Sequence, residues 1–528
     1  MDEGKKGWES GRRCGAVGAV ALLALGLVGA AAPAPPANAA DAVDELGARL
    51  EAYLAQPRFH GAAWGVKVVS LDTGRTLFAH DADRLLSAAS VSKLYVAALA
   101  LDRLGGDYRI VTPILATARP DGAGRVRGDV IVWGRGDPSW SARRGGGSFE
   151  DIFEPFAAAL LRAGVRHVTG DLVADTTWFQ SPPVGAGWAA ADLGDGYGAE
   201  ISAVALEDNY AELRVAPAAR AGLPCALTLL QPHTGLVLDN RTLTTAPGGG
   251  RQIEARRVLE ENTVRVFGEW PVGEAETVVQ VAVPRPAEWF AAALKEALAR
   301  HGIRVDGAAR SVRWPEPPAA GPACVRLGEV SSPPLRELVA ACLKRSQNLE
   351  AALLFAHLGE LARPADAPAW RTSGECAVAA LQEFLRRHGL PADEVQLEEG
   401  SGLSPDNLTT ANATAALLQF MAARRDAGDF VNALPVAGVD GTLRRRMQGT
   451  PAAGNVRAKT GSLRWAQALA GYVTSAAGER LAFCVMLNRA VAPPDRAVGA
   501  ELDGIAVLLA EFPGRSGAPG PPNPGSPP

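Results

Sequence analysis

Read for its hydrophobic pattern, the chain opens on an apolar run from about Ala16 to Ala32, preceded by Lys5, Lys6, Arg12 and Arg13 and followed by Pro33, Pro35 and Pro36. With the small-residue site Ala37-Asn38-Ala39, this pattern predicts an export signal cleaved after Ala39 or Ala40. The run is short for a membrane span and is stopped by prolines. Val43, Leu46, Leu50 and Leu54 then recur at helical spacing, so an amphipathic helix is expected next. Gly65 to Ser70 and Arg75 to Ala79 are β-prone runs joined by Asp72-Thr73-Gly74, the pattern of a hairpin. A loop then leads to an Ala/Leu-rich helix that begins at Ser90 and ends near Gly105-Gly106.

From about residue 106 to 329 the texture changes to short β-prone runs between Gly/Pro turns. Strands are expected at Ile110 to Thr117, Asp129 to Trp133, Asp171 to Asp175, Leu227 to Leu230 and Thr277 to Val283. Helices are expected from a Ser148 cap to Gly164 and from Glu288 to Gly302. Helical periodicity returns at Leu335 to Leu343, Leu349 to Leu361 and Cys376 to His388. A hairpin of Ala468 to Thr474 and Arg480 to Leu487 and a helix from Ala500 to Phe512 close the chain, ahead of a Gly/Pro-rich stretch expected to be disordered.

The 528 residues are 47% hydrophobic and 21% charged, enough for two or more domains with a large core. The formal net charge of −4 becomes −5 without residues 1–40, and nothing in that balance calls for a nucleic-acid partner. Beyond the signal lie Cys225, Cys324, Cys342, Cys376 and Cys484, an odd number without a Cys-x-x-Cys pair. Cys342 and Cys484 lie in apolar runs and read as buried thiols, while one bridge among the others stays open in an oxidising compartment. No Cys/His cluster or His-Glu-x-x-His supports a metal, and no cofactor is expected.

Candidate chemistry is concentrated in three short stretches. Ser90 and Lys93 lie three apart where a helix begins, so they share a face, and a helix N-terminus favours developing negative charge. Alone, this spacing reads more readily as a helix cap beside a solvated lysine. Ser346-Gln347-Asn348 follows an apolar run and Lys459-Thr460-Gly461-Ser462 precedes one, each pattern occurring once and in this order. The seven histidines lie away from any nucleophile motif, which leaves a Ser-His-Asp arrangement without support. Gly454 to Thr460 is P-loop-like but lacks the glycine before the lysine, so no nucleotide is expected.

The ordered set Ser-x-x-Lys, Ser-x-Asn and Lys-Thr-Gly resembles penicillin-binding proteins and serine β-lactamases. Together with Gly136-Asp137-Pro138, Gly400 to Ser404 and Val456 to Gly461, it resembles the class C low-molecular-mass penicillin-binding proteins. These are the D-alanyl-D-alanine carboxypeptidase/endopeptidases of the S13 serine peptidase family. The resemblance implies an α+β (α/β sandwich) transpeptidase-like domain with a large, mainly β insertion forming two subdomains. The domains expected are 1–39 signal, 40–105 with 330–512 catalytic, 106–329 inserted and 513–528 tail. The 256 positions between Ser90 and Ser346 carry the argument for the insertion.

The same resemblance implies Ser90 as nucleophile, Lys93 as base, Ser346 as proton relay, and Asn348 as the residue that holds Lys93 and a substrate amide. Lys459 would be the cation that anchors the substrate carboxylate and keeps Lys93 deprotonated. Thr460, Gly461 and Ser462 would bind substrate along an edge strand, the backbone N–H of Ser90 and Ser462 forming an oxyanion hole. The implied partners are peptidoglycan stem peptides and β-lactams, at a periplasmic or other extracytoplasmic location, with oligomeric state open.

The chain departs from the family pattern at Gln347, where Asp or Asn is usual, and at Glu399, where Asp is usual. Both lie outside these roles. Trp188 and Asp192 approximate a stretch that lines the family's side-chain pocket. A penicillin-recognising scaffold without turnover is the first rival reading, opposed by the intact motifs. A β-lactamase is the second, opposed by the lack of a Glu-x-x-x-Asn segment after the second motif.

Overall fold

The computed structural model describes residues 39–258, 261–491 and 497–517. Residues 1–38 of the expected signal, and the tail beyond 517, lie outside the described residues. A helix spans Ala39–Leu54. It buries Val43, Leu46, Leu50 and Leu54, as their spacing requires.

The sheet that organises the site has five antiparallel strands, in the order Thr76–His80, Ala63–Ser70, Arg480–Asn488, Ala466–Thr474 and Arg457–Leu463. Both faces are covered, so side chains alternate between two cores rather than between core and water. On Arg480–Asn488, Leu481, Phe483, Val485 and Leu487 face the helices Ala39–Leu54 and Gly499–Glu511. Ala482, Cys484 and Met486 face the helices Lys93–Leu104 and Ala411–Ala423. Small residues on that second face, Ala468 and Ala470 among them, let the Ala411–Ala423 helix and the Ala89–Ser92 turn approach the sheet. Every residue from Lys93 to Leu101 is buried, and each such Leu contributes about 1.5–3 kcal/mol.

Among the described residues, no strand within 111–331 joins this sheet. Five form a second one, in the order Ala309–Val312, Leu172–Asp175, Val130–Trp133, Val111–Ala116 and Val325–Ser331. The helices Glu154–Arg162 and Pro286–Arg300 share a core with it through Phe156, Leu160, Phe290 and Leu294. Two three-stranded sheets, one centred on Tyr210–Ala216 and one on Thr263–Pro271, enclose Leu213, Val215, Val264, Val266 and Val281.

Three expectations change. The Ser148 to Gly164 helix is a 3-10 turn at Glu150–Phe153 followed by Glu154–Arg162, with Ser148 capping through its hydroxyl to the Asp151 N–H at 3.2 Å. Cys225, Cys324, Cys342, Cys376 and Cys484 are all free thiols, so no bridge forms among them. The stretch from residue 513, expected to be disordered, stays attached as far as Ser516. The Arg515 guanidinium donates to the Ala477 carbonyl, and the Ser516 N–H donates to the buried Glu479 carboxylate at 2.9 Å.

Candidate active site

Ser90 sits in a 3-10 turn, Ala89–Ser92, that feeds directly into the Lys93–Leu104 helix. The turn is entered through Ala89 at φ 47°, a left-handed conformation that costs an alanine free energy. Two glycines accommodate it. A Cβ at Gly402 would lie 2.1 Å from the Ala89 carbonyl oxygen, and one at Gly461 would lie 2.4 Å from that of Ala88. These close approaches bring the 399–404 loop and the Arg457–Leu463 edge strand against the turn bearing Ser90.

Lys93 is 1% exposed and reaches Ser90 from one turn along the helix, its Nζ 2.8 Å from Ser90 Oγ. Nζ also donates to Asn348 Oδ1 at 2.7 Å and to the Ser401 carbonyl. The orientation of Asn348 is fixed because its Nδ2 donates to the Tyr197 carbonyl at 2.9 Å. Two of the three partners of Nζ can therefore only accept, while the third, the Ser90 hydroxyl, can do either. A neutral amine would give its two hydrogens to Asn348 and Ser401 and turn its lone pair to Ser90, and an ammonium would donate to all three. Proton transfer from Ser90 to Lys93 thus needs no rearrangement.

Burial lowers the pKa of Lys93 from the usual 10.5 to about 8, against the opposing influence of Cys342 and Glu399. The loop supplying the Ser401 carbonyl is held by the buried Glu399 carboxylate. It accepts from the N–H groups of Ser401 at 2.6 Å, Gly402 at 2.7 Å, Leu403 at 3.0 Å and Ser404 at 3.3 Å, and from Asn407 Nδ2 at 2.7 Å. Glu399, set aside on sequence as outside the assigned roles, holds the loop whose Ser401 carbonyl meets Lys93 Nζ.

The second motif lies at a helix end. Helix Leu335–Arg345 terminates with Ser346 in the left-handed region, at φ 56°, a position usually given to Gly or Asn. Lys459 Nζ donates to Ser346 Oγ at 2.7 Å and to the Thr460 carbonyl at 2.6 Å. Arg345 and Glu350, flanking this motif, pair with the buried Asp208 at 2.7 Å and with Arg144 respectively. Asp208 belongs to a run of three left-handed residues, Glu207, Asp208 and Asn209. Nothing in the sequence marks this clamp between the 111–331 block and the second motif.

Lys459 lies fully buried on the edge strand. Its pKa falls well below 10.5, chiefly through burial and then through the charge of Lys93. The expectation was a charged Lys459 that keeps Lys93 neutral. Burial and mutual repulsion work against charging both lysines at once, so a proton held on Lys459 would favour the neutral amine of Lys93. Thr460 Oγ1 donates to Thr442 Oγ1 at 2.8 Å, and Ser462, exposed, accepts from Gln467 Nε2 at 2.7 Å.

Hydrogen bonds thus join Ser90, Lys93 and Asn348 in one cluster and Ser346, Lys459 and Thr460 in another. Gly461 packs against the turn that carries Ser90, and Ser462 follows on the same edge strand. Asp192 connects to the first cluster indirectly, since the Tyr197 hydroxyl donates to Asp192 Oδ1 at 3.0 Å and the Tyr197 carbonyl meets Asn348, whereas Trp188 makes no hydrogen bond to any of these residues. Sequence reasoning missed the Ser401 and Tyr197 carbonyls and the Thr442 hydroxyl.

A covered antiparallel sheet, a buried helix starting beside its edge strand, and a buried lysine 2.8 Å from a partly exposed serine are features of the penicillin-recognising class of fold. A profile of the D-Ala-D-Ala carboxypeptidase 3 (S13) family matches residues 46–509. A D-alanyl-D-alanine carboxypeptidase of Actinomadura sp. (strain R39) is 35% identical over 481 residues, covering 89% of this chain and 85% of that one. The D-alanyl-D-alanine carboxypeptidase DacB of Haemophilus influenzae is 26% identical, covering 82% and 87%. The crystal structure of penicillin binding protein 4 (dacB) from Haemophilus influenzae superposes with a TM-score of 0.73 at 24% identity, covering 88% of this chain and 98% of that one. The chain belongs to the D-Ala-D-Ala carboxypeptidase 3 (S13) family of serine-type peptidases. Among the described residues no helix is long and apolar enough to cross a membrane.

Proposed function

We propose that this protein is an exported serine DD-peptidase acting on peptidoglycan peptides that end in, or are linked through, D-alanine, by way of an acyl-enzyme on Ser90. In this reading Lys93 takes the Ser90 proton as Oγ attacks the D-alanyl carbonyl. Ser346 relays a proton to the departing nitrogen, the C–N bond breaks, and water then cleaves the ester. Asn348 holds Lys93, while Lys459, Thr460 and Ser462 meet the carboxylate of the leaving residue. The N–H groups of Ser90 and Ser462 stabilise the oxyanion. The observation that carries the reading is the set of partners around Lys93 Nζ, which satisfies both its protonation states.

Carboxylate binding adds a step to this reading. A carboxylate beside Lys459 favours its ammonium, and that charge then lowers the pKa of Lys93 further. Substrate thereby moves a proton from Lys93 towards Lys459 and readies the base. We assign residues 106–329 as an insertion whose Asp208, Arg144 and Tyr197 brace the second motif. Acylation by β-lactams follows from the same chemistry, and a Haemophilus influenzae relative of this fold has been crystallised with a β-lactam. Incubating the mature protein with purified monomeric and cross-linked muropeptides, products identified by mass, tests the activity. Loss of a terminal D-alanine is expected, and no product from either substrate overturns the proposal.

A further inference from the structure

Past Ser346 the cleft widens into a groove of about 900 Å³. Tyr197, Arg345, Ser346, Thr442, Arg444 and Arg445 are among its lining residues. Its charges are unbalanced. Lys344 pairs with Asp440, and Arg345 with Asp208. Arg444 and Arg445 are exposed and have no ion-pair partner among the described residues. The groove joins the cleft through the two hydroxyls that touch the third motif, Ser346 beside Lys459 and Thr442 beside Thr460.

Direction follows from the proton path proposed above. If Ser346 protonates the leaving nitrogen, whatever that nitrogen carries extends past Ser346. Free D-alanine ends at its carboxylate, already met by Lys459, Thr460 and Ser462, and leaves the groove and its two arginines unused. We propose that this groove is a subsite for the leaving strand of a cross-linked substrate. That strand is an acidic peptide, joined through an amine to the D-alanyl carbonyl, whose additional carboxylates pair with Arg444 and Arg445. The subsite selects cross-linked over monomeric peptide according to the charge of the amine-side strand. The chemical step is unchanged: the ester forms on Ser90 Oγ, the C–N bond breaks, and the protonated amine departs with its strand. The inference rests on the serine DD-peptidase reading.

The test uses the wild-type mature protein, an Arg444→Gln/Arg445→Gln double variant and an Arg444→Lys/Arg445→Lys double variant. Three substrates share one acyl half and differ in the leaving group: D-alanine, an acidic peptide, and the same peptide with its extra carboxylates amidated. The glutamine variant should lose about tenfold in kcat/KM on the acidic peptide, the effect of two solvent-facing ion pairs. Its change should stay below twofold on D-alanine release and on the amidated peptide. The lysine variant should keep most of the activity on the acidic peptide, and added salt should slow only that reaction. Equal losses on all three substrates, or no loss on the acidic one, overturn the subsite while leaving the peptidase reading intact. Absence of D-alanine release by the wild type overturns both.

Discussion

Raising the pH from 7 to 9 should accelerate acylation of the free protein roughly tenfold, because the group that takes the Ser90 proton must be neutral. Burial sets the pKa of Lys93 at about 8, so about one-tenth of the molecules carry the amine at pH 7 and about nine-tenths at pH 9. The sign is that of a base: the rate climbs through pH 8 and levels above it. In kcat/KM, which reports the free enzyme, the inflection should fall near 8. In the first-order acylation rate at saturating substrate it should fall at least about one pH unit lower, since a carboxylate that charges Lys459 depresses Lys93 further. A substrate with that carboxylate esterified should show no such difference. Stopped-flow acylation by a chromogenic penicillin and by its ester, from pH 6 to 10, measures both profiles. Coincident inflections for the free acid, or an inflection near 10, would refute the proton shift and the role given to burial.

Lys93→Ala should abolish acylation by both penicillin and peptide, whereas Lys459→Ala should weaken both and bring the two pH inflections together near 8; rates for the two variants across pH decide this. Glu399→Ala removes the acceptor of four loop N–H groups and an amide, so it should destabilise the protein by about 3 kcal/mol or more and slow acylation by displacing the Ser401 carbonyl. Denaturant melts and acylation rates would check both effects. Gly461→Ala forces a Cβ to within 2.4 Å of the Ala88 carbonyl oxygen, and the edge strand must move away from Ser90. Penicillin acylation should fall at least about tenfold with the protein still folded by circular dichroism, while wild-type rates would show that the close approach is unnecessary.

Much of this was legible in the sequence where side chains carry the information. The Ser90/Lys93 spacing, the helical period of Val43 to Leu54, and the apolar strands closing the chain all reappear in the folded molecule. What escaped was chiefly carried by backbone groups. The Ser401 and Tyr197 carbonyls have no residue signature, and a glutamate that binds N–H groups looks like any other glutamate until the loop is folded. The left-handed Glu207-Asp208-Asn209 run holds no glycine to announce it. Helix Ala411–Ala423 is apolar nearly all round, so no amphipathic period marks it. The strands Val237–Thr245 and Thr263–Pro271 expose Val237, Leu243 and Phe267, which blurs the alternation that reveals a half-buried strand.

The central claim is that Ser90 is the nucleophile, and trapping the acyl-enzyme tests it most directly. Mature protein treated with a labelled penicillin, digested and mapped by mass spectrometry, should carry one adduct, an ester on Ser90. A Ser90→Ala variant with an unchanged melting temperature should carry none. Label on any other residue, or an unmodified wild-type protein at saturating drug, would contradict the account.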